Sequence, residues 1–191
     1  MLIAGIDLET TGLDQSKGHR IIEVCGFIYN ITDFSVIPEP RLIWTKRINP
    51  QRSIDPKAQA VHHISFEELT DCPTIEELMP SIHGLIAKTD VFIAHNADFD
   101  WTFLKGEMQR LGYSVPNPEV FCTMENGRWA TPHGKLPSLK ELCRASGYEY
   151  DEDKAHAAEY DVDRMMKCFF KGVSHGEFNI DLTEVATREA A

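Results

Sequence analysis

Two carboxylates stand one residue apart in Gly5-Ile6-Asp7-Leu8-Glu9-Thr10, inside a run from residue 2 to 8 whose apolar residues predict a strand. Side chains alternate along a strand, so Asp7 and Glu9 share one face while Ile6 and Leu8 share the other. Neighbouring anions raise each other's pKa, which is costly unless a cation or a shared proton compensates. Oxygen donors alone favour a hard divalent ion, Mg²⁺ or Mn²⁺, over zinc. An Asp-x-Glu tripeptide by itself also fits an exposed strand end.

Two further clusters hold the same residue types. His95-Asn96-Ala97-Asp98-Phe99-Asp100 closes an apolar run and opens a predicted helix, a junction that commonly presents functional groups. Asp98 suits an ordinary N-cap there. Asp100 lies past the helix start, where an acid is also explained as a partner of the helix dipole. His156-Ala157-Ala158-Glu159-Tyr160-Asp161 opens the last predicted helix. Asp161 falls about one and a half turns after His156, so the carboxylate is anchored on the helix while the imidazole hangs from the preceding loop. A fixed acid suits metal binding, and an imidazole titrating near neutrality suits taking a proton from water.

These residues need a frame. Residues 2–8, 20–30 and 41–48 read as three strands, plausibly an antiparallel meander, punctuated by Gly, Asp and Pro. Asp55 to Ile64 reads as a loop with a short helix. Ser65 with Glu68 and Thr74 with Glu77 form capping boxes that open two helices, the second with an apolar face of Leu78, Ile82 and Ile86. Residues 91–95 and 119–123 are strand candidates. The helix between them spans about Asp98 to Leu111, with Phe99, Phe103 or Leu104, and Met108 at helical spacing. Ser138 and Glu141 cap a short helix ended by Gly147, and Ala158, Val162, Met165 and Phe169 stripe the last one. Strands first, then alternating helix and strand, imply a mixed sheet covered by helices. The acidic stretch 149–153 reads as a mobile loop.

With 191 residues and 42% hydrophobic content, the chain suits one domain with its own core. We expect that domain over residues 1–175 and a polar tail over 176–191. Five scattered cysteines without a Cys-x-x-Cys pair suggest neither a disulfide framework nor a zinc knuckle, so a cytoplasmic setting is expected. The N-terminal segment lacks the pattern of a signal peptide, and no run is long enough to span a membrane. Thirty acidic against nineteen basic residues give a net charge of -11, which opposes an architectural role on duplex DNA. An enzyme gripping a few nucleotides is compatible with it, because bound cations locally reverse the field.

In order and spacing, Asp7-x-Glu9, His95-Asn96-Ala97-x-Phe99-Asp100 and His156-x-x-x-x-Asp161 resemble the motifs of the DnaQ-like, or DEDDh, exonuclease family, over roughly residues 2–171. The family includes the proofreading epsilon subunit of DNA polymerase III and exonuclease X. The resemblance implies an RNase H-like α/β fold with a five-stranded mixed sheet flanked by helices. It further implies removal of nucleoside 5'-monophosphates from 3' ends by two divalent cations. Asp7, Glu9, Asp100 and Asp161 would hold those cations, and His156 would be the general base. Thr10, Thr11, Gly12, Val61, His62, Ile64, Asn96 and Phe99 match positions that border the terminal nucleotide. DNA ends are the expected substrate, RNA trimming is the nearest alternative, and a DNA polymerase is a candidate partner.

Two departures bear on this. Cys122-Thr123-Met124 stands where many relatives carry Asp-Thr, which sets the chain apart from the proofreading subunits and closer to exonuclease X. His63 takes the place of a small residue in Val-His-Gly-Ile and is expected to narrow or reshape the nucleotide pocket. Two rival classes remain: a metal-dependent phosphatase with an Asp nucleophile on the first strand, and a non-catalytic module that binds nucleic acid or a polymerase.

Overall fold

A computed structural model describes residues 1–34 and 37–180 of the chain. Five strands, β1 (Leu2–Thr10), β2 (Ile21–Asn30), β3 (Leu42–Arg47), β4 (Val91–Ala94) and β5 (Glu119–Cys122), form one sheet in the order β3-β2-β1-β4-β5. β1 pairs antiparallel with β2, and β2 with β3; β1 pairs parallel with β4, and β4 with β5. This is the five-stranded mixed sheet expected of an RNase H-like fold.

Short helices follow β3: α1 (Pro56–His62), α2 (Phe66–Leu69) and α3 (Ile75–Ile86). Asp55 caps α1 by accepting the Lys57 N–H, with Pro56 at the first helical position, where its missing N–H costs nothing. The boxes at Ser65, Thr74 and Ser138 all form. The remaining α-helices among the described residues are α4 (Ala97–Arg110), α5 (Thr123–Asn126), α6 (Leu139–Ala145) and α7 (Ala158–Ser174).

Two apolar layers sandwich the sheet. Alternation along β1 and β4 sends Ala4, Ile6, Phe92 and Ala94 toward α3 and α4, where they meet Met79, Ile82, Phe103, Leu104 and Met108. It sends Ile3, Val91 and Ile93 toward α6 and α7, where they meet Leu142, Val162, Met165 and Phe169. The inner face of α3 is built on Ile75, Met79, Ile82 and Ile86, with Leu78 only half-buried. Both Phe103 and Leu104 are buried, so α4 presents a wider apolar face than a single stripe.

Several local expectations are corrected. α4 begins at Ala97, capped by Asn96 in a left-handed conformation (φ 82°), so Asp98 is an exposed first-turn residue rather than the cap. The acidic stretch is anchored rather than loose: the Arg164 guanidinium donates to the Glu149 carbonyl, the Asp151 N–H donates to the Tyr160 hydroxyl, and Lys140 pairs with Glu152. The packed unit also runs past α7. Phe178 is buried against Phe121 and Trp129, and a Cβ on Gly172 would lie 2.4 Å from its ring. Most of the expected tail, 181–191, lies outside the described residues.

Gly5 decides where α7 lies. A Cβ there would sit 2.3 Å from Met166 Sδ, so only a residue without a side chain lets the helix rest this close to β1.

Candidate active site

From Gly5 to Asp7 the strand rises by roughly 7 Å, and from Met166 back to Asp161 the helix rises by about 7.5 Å. These near-equal steps, started from the Gly5 contact, bring Asp161 level with Asp7, and the negative charge of Asp161 raises the Asp7 pKa. Beyond Glu9 the β1–β2 register shifts, from Glu9 opposite Glu23 to Thr10 opposite Ile21. The extra residue, Ile22, packs on Ile64 and Leu69 and so secures the segment that carries His62.

Asp100 arrives from the other layer. β4 pairs with β1 only as far as Gly5, and further along the Leu8 N–H donates instead to Asp100 Oδ1 at 3.2 Å. The side chain is 3% exposed and lies at the carboxyl ends of β1 and β4, where open α/β sheets commonly place ligands.

His156 stands on the loop before α7 in a left-handed conformation (φ 63°) and is exposed. Its N–H donates to Asp161 Oδ2 at 3.0 Å, while the Tyr150 hydroxyl donates to Oδ1 at 2.7 Å. The loop and the helix carboxylate are therefore bonded to each other.

Asp7, Glu9, Asp100, Asp161 and His156 all line one open cleft of about 810 Å³. Burial, reinforced by Asp161 and Glu23, pushes the Asp7 carboxyl up to about 7. Burial, with Asp7, Glu23 and Asp161, pushes Glu9 up to about 9. Asp100 is raised well above the carboxylate range by burial and by Asp7. Asp161 is raised by burial, against the opposing bonds from Tyr150 and His156. Among the described residues no Lys or Arg pairs with any of the four. No three His, Cys, Asp or Glu side chains there close into a ready ligand shell. What suits a cation is the donor set itself, four carboxylates none of which meets a Lys or Arg among the described residues.

Of the residues expected beside a nucleotide, Thr10, Gly12, Val61, His62, Asn96 and Phe99 line the cleft. Thr11 and Ile64 do not. Thr11 is wholly buried, its hydroxyl accepting the Arg20 N–H and meeting His19 Nδ1, and Ile64 is core. His63 is exposed and outside the cleft wall, so it does not narrow the pocket; its left-handed backbone (φ 59°) ends α1 where a glycine would rest without strain. His62 Nδ1 accepts the Ile64 N–H, which leaves the proton on Nε2, a buried donor beside the Thr10 backbone. Burial lowers its pKa.

Further residues bear on the site, most of them outside the motifs. Glu23 adds charge from β2, and Leu13, 84% exposed, and Lys57 stand on the cleft rim. His95 is held by Thr123 and the Pro137 carbonyl, and burial pushes its pKa down to about 4. The pairing of Glu23 with Glu9 follows from strand register, which spacing along the chain does not reveal. Cys122 Sγ accepts the Ala97 and Glu125 N–H groups, so the sulfur does locally what an Asp would do there.

The RNase T family model, described as exonuclease, matches residues 4–169. The DNA polymerase III epsilon subunit of Escherichia coli (strain K12) is 33% identical over 157 residues, 78% of this chain and 61% of that protein. The chain thus spans less than two thirds of that relative. Exonuclease X in complex with 5' overhanging duplex DNA shares the fold with a TM-score of 0.61 at 22% identity, covering 91% of this chain and 93% of that one. The nuclease domain of 3'hExo, a DEDDh family member bound to rAMP, has a TM-score of 0.72 at 15% identity, covering 94% and 96%.

Proposed function

Because the chain belongs to the RNase T, DnaQ-like exonuclease family, we propose that it hydrolyses phosphodiester bonds at 3' ends of DNA, releasing nucleoside 5'-monophosphates. The observation that carries this reading is the convergence of four carboxylates, from β1, α4 and α7 and without a Lys or Arg partner among the described residues, with His156 on one open cleft. A phosphatase using Asp7 as nucleophile leaves Asp100, His156 and Asp161 without a task. A purely binding module has no use for such costly charge.

Asp7, Glu9, Asp100 and Asp161 would hold two divalent cations, Mg²⁺ or Mn²⁺, which when bound offset the phosphate charge, activate water and stabilise the leaving oxygen. His156 takes the proton from the attacking water at its imidazole, and its exposure lets that proton pass on to solvent. Thr10 Oγ1 donates to the Gly12 carbonyl at 2.8 Å and keeps lone pairs for a terminal 3'-hydroxyl. His62 lines the cleft and offers its Nε2–H to the same nucleotide. Val61 and Phe99 supply apolar walls against which any base can pack, so the grip is tolerant of sequence. The exonuclease domain is taken over residues 1–175, with Phe178 packed against it, a DNA polymerase is a candidate partner, and five free thiols suit a cytoplasmic setting.

The test is digestion of 5'-labelled single-stranded DNA and RNA oligonucleotides with Mg²⁺ or Mn²⁺, beside EDTA and Asp7→Ala controls. A ladder that shortens from the 3' end and vanishes in both controls supports the reading, and faster loss of DNA supports the sugar preference. No shortening of either polymer refutes it.

A further inference from the structure

Tyr150 does not line the cleft, yet its hydroxyl donates to Asp161 Oδ1 at 2.7 Å. We propose that Tyr150 is a positioning residue for Asp161: it fixes the carboxylate in the orientation that serves the cation site and ties it to the loop bearing His156. This inference rests on the exonuclease reading above.

Three features favour it. The tyrosine is held in place rather than free to swing, since its ring is half-buried against the α6–α7 core and meets the Tyr160 ring at 5.4 Å and 55°. With His156 N–H on Oδ2, both oxygens of Asp161 are gripped from one loop, which stops rotation of a carboxylate in the first turn of a helix. A hydroxyl is also the right donor chemically. It occupies one lone pair of Oδ1 while adding no charge, so Asp161 keeps the anion that a cation needs, which a lysine in the same place would cancel.

The experiment is Mn²⁺ titration of the full chain, by calorimetry and by electron paramagnetic resonance of free Mn²⁺, together with kcat and KM on a labelled oligonucleotide. Tyr150→Phe keeps the ring and loses only the hydroxyl. Outer-shell donors of this kind typically change metal affinity or activity by about 10- to 100-fold. We expect Mn²⁺ affinity and kcat to fall about tenfold, with KM and the metal-free Tm unchanged. Tyr160→Phe removes the Asp151 bond from the same loop without touching Asp161, and is expected to keep wild-type Mn²⁺ affinity. Wild-type affinity and kcat in Tyr150→Phe overturn the proposal while the exonuclease reading stands. An equal loss in Tyr160→Phe also overturns it, since general loop order would then be responsible. A wild-type chain that neither binds Mn²⁺ nor cuts removes both readings together.

Discussion

Glu9 and Glu23 face each other across the β1–β2 pair, and Glu23, only 8% exposed, shares the single cation Arg47 with Glu68. Arg47 Nε meets Glu23 at 3.1 Å while its NH1 meets Glu68 at 3.0 Å, so the charge of Glu23 is only partly offset. The remainder raises both Asp7 and Glu9. The cleft thus gathers more negative charge than its motif residues alone supply.

That charge makes stability depend on pH and metal. Asp7 moves from 3.8 to about 7 and Glu9 from 4.5 to about 9 on folding, so between roughly pH 4 and 9 the folded chain holds more protons than the unfolded one. Stability that is present below pH 4 is lost as pH rises through the folded values. We expect the Tm of the metal-free chain to fall between pH 5 and 9, less steeply in Glu23→Gln, and Mn²⁺ to restore it most at high pH. A flat Tm against pH in EDTA would contradict this.

His156→Ala removes the proposed base and leaves the four carboxylates in place. Because general-base catalysis contributes about 10²- to 10⁴-fold, kcat should fall by that order while KM and Mn²⁺ binding change little. Single-turnover digestion at saturating Mn²⁺ measures it, and an unchanged rate would assign the proton transfer elsewhere.

His63 carries backbone strain without lining the cleft. Replacing it with glycine removes the left-handed penalty at the end of α1, and part of that gain is returned to the unfolded chain. His63→Gly should stabilise the protein by about 0.5 to 1 kcal/mol. Urea denaturation reads this directly, with activity expected to stay at the wild-type level.

Glu107 anchors α4 to the start of β2. It is 2% exposed and accepts Arg20 NH1 on both oxygens, at 3.0 and 2.9 Å, and Arg110 Nε at 2.9 Å. Removing its charge takes the carboxylate from Arg20, while Arg110 keeps Glu76 at 2.7 Å, so Glu107→Gln should cost about 3 kcal/mol in guanidinium denaturation. A loss under 1 kcal/mol, by the same measurement, would show that solvent replaces the network, as it does for exposed pairs worth about 0–1 kcal/mol.

Local chemistry made most of the elements legible. The three capping boxes, the alternation on β1 and the stripe of α7 are properties of a few adjacent residues, and they hold whatever the rest of the chain does. The start of α4 is not legible along the chain because Asn96 caps it through a left-handed backbone without a side-chain bond, whereas Asp98 has the preferred residue type. The acidic stretch reads as loose because its anchors, Tyr160, Arg164 and Lys140, lie on other elements.

Residue type and spacing along the chain single out the candidates, the Asp7 and Glu9 pair, Asp100, Asp161 and His156, in an order that carries a family resemblance. The tertiary structure alone decided their company. It set Glu23 opposite Glu9 through strand register, brought Asp161 level with Asp7 through the Gly5–Met166 contact, and turned Thr11, Ile64 and His63 away from the cleft. Residue type and local pattern are written along the chain, but register, close approach and burial are relations between segments far apart in sequence. They exist only once the layers have packed.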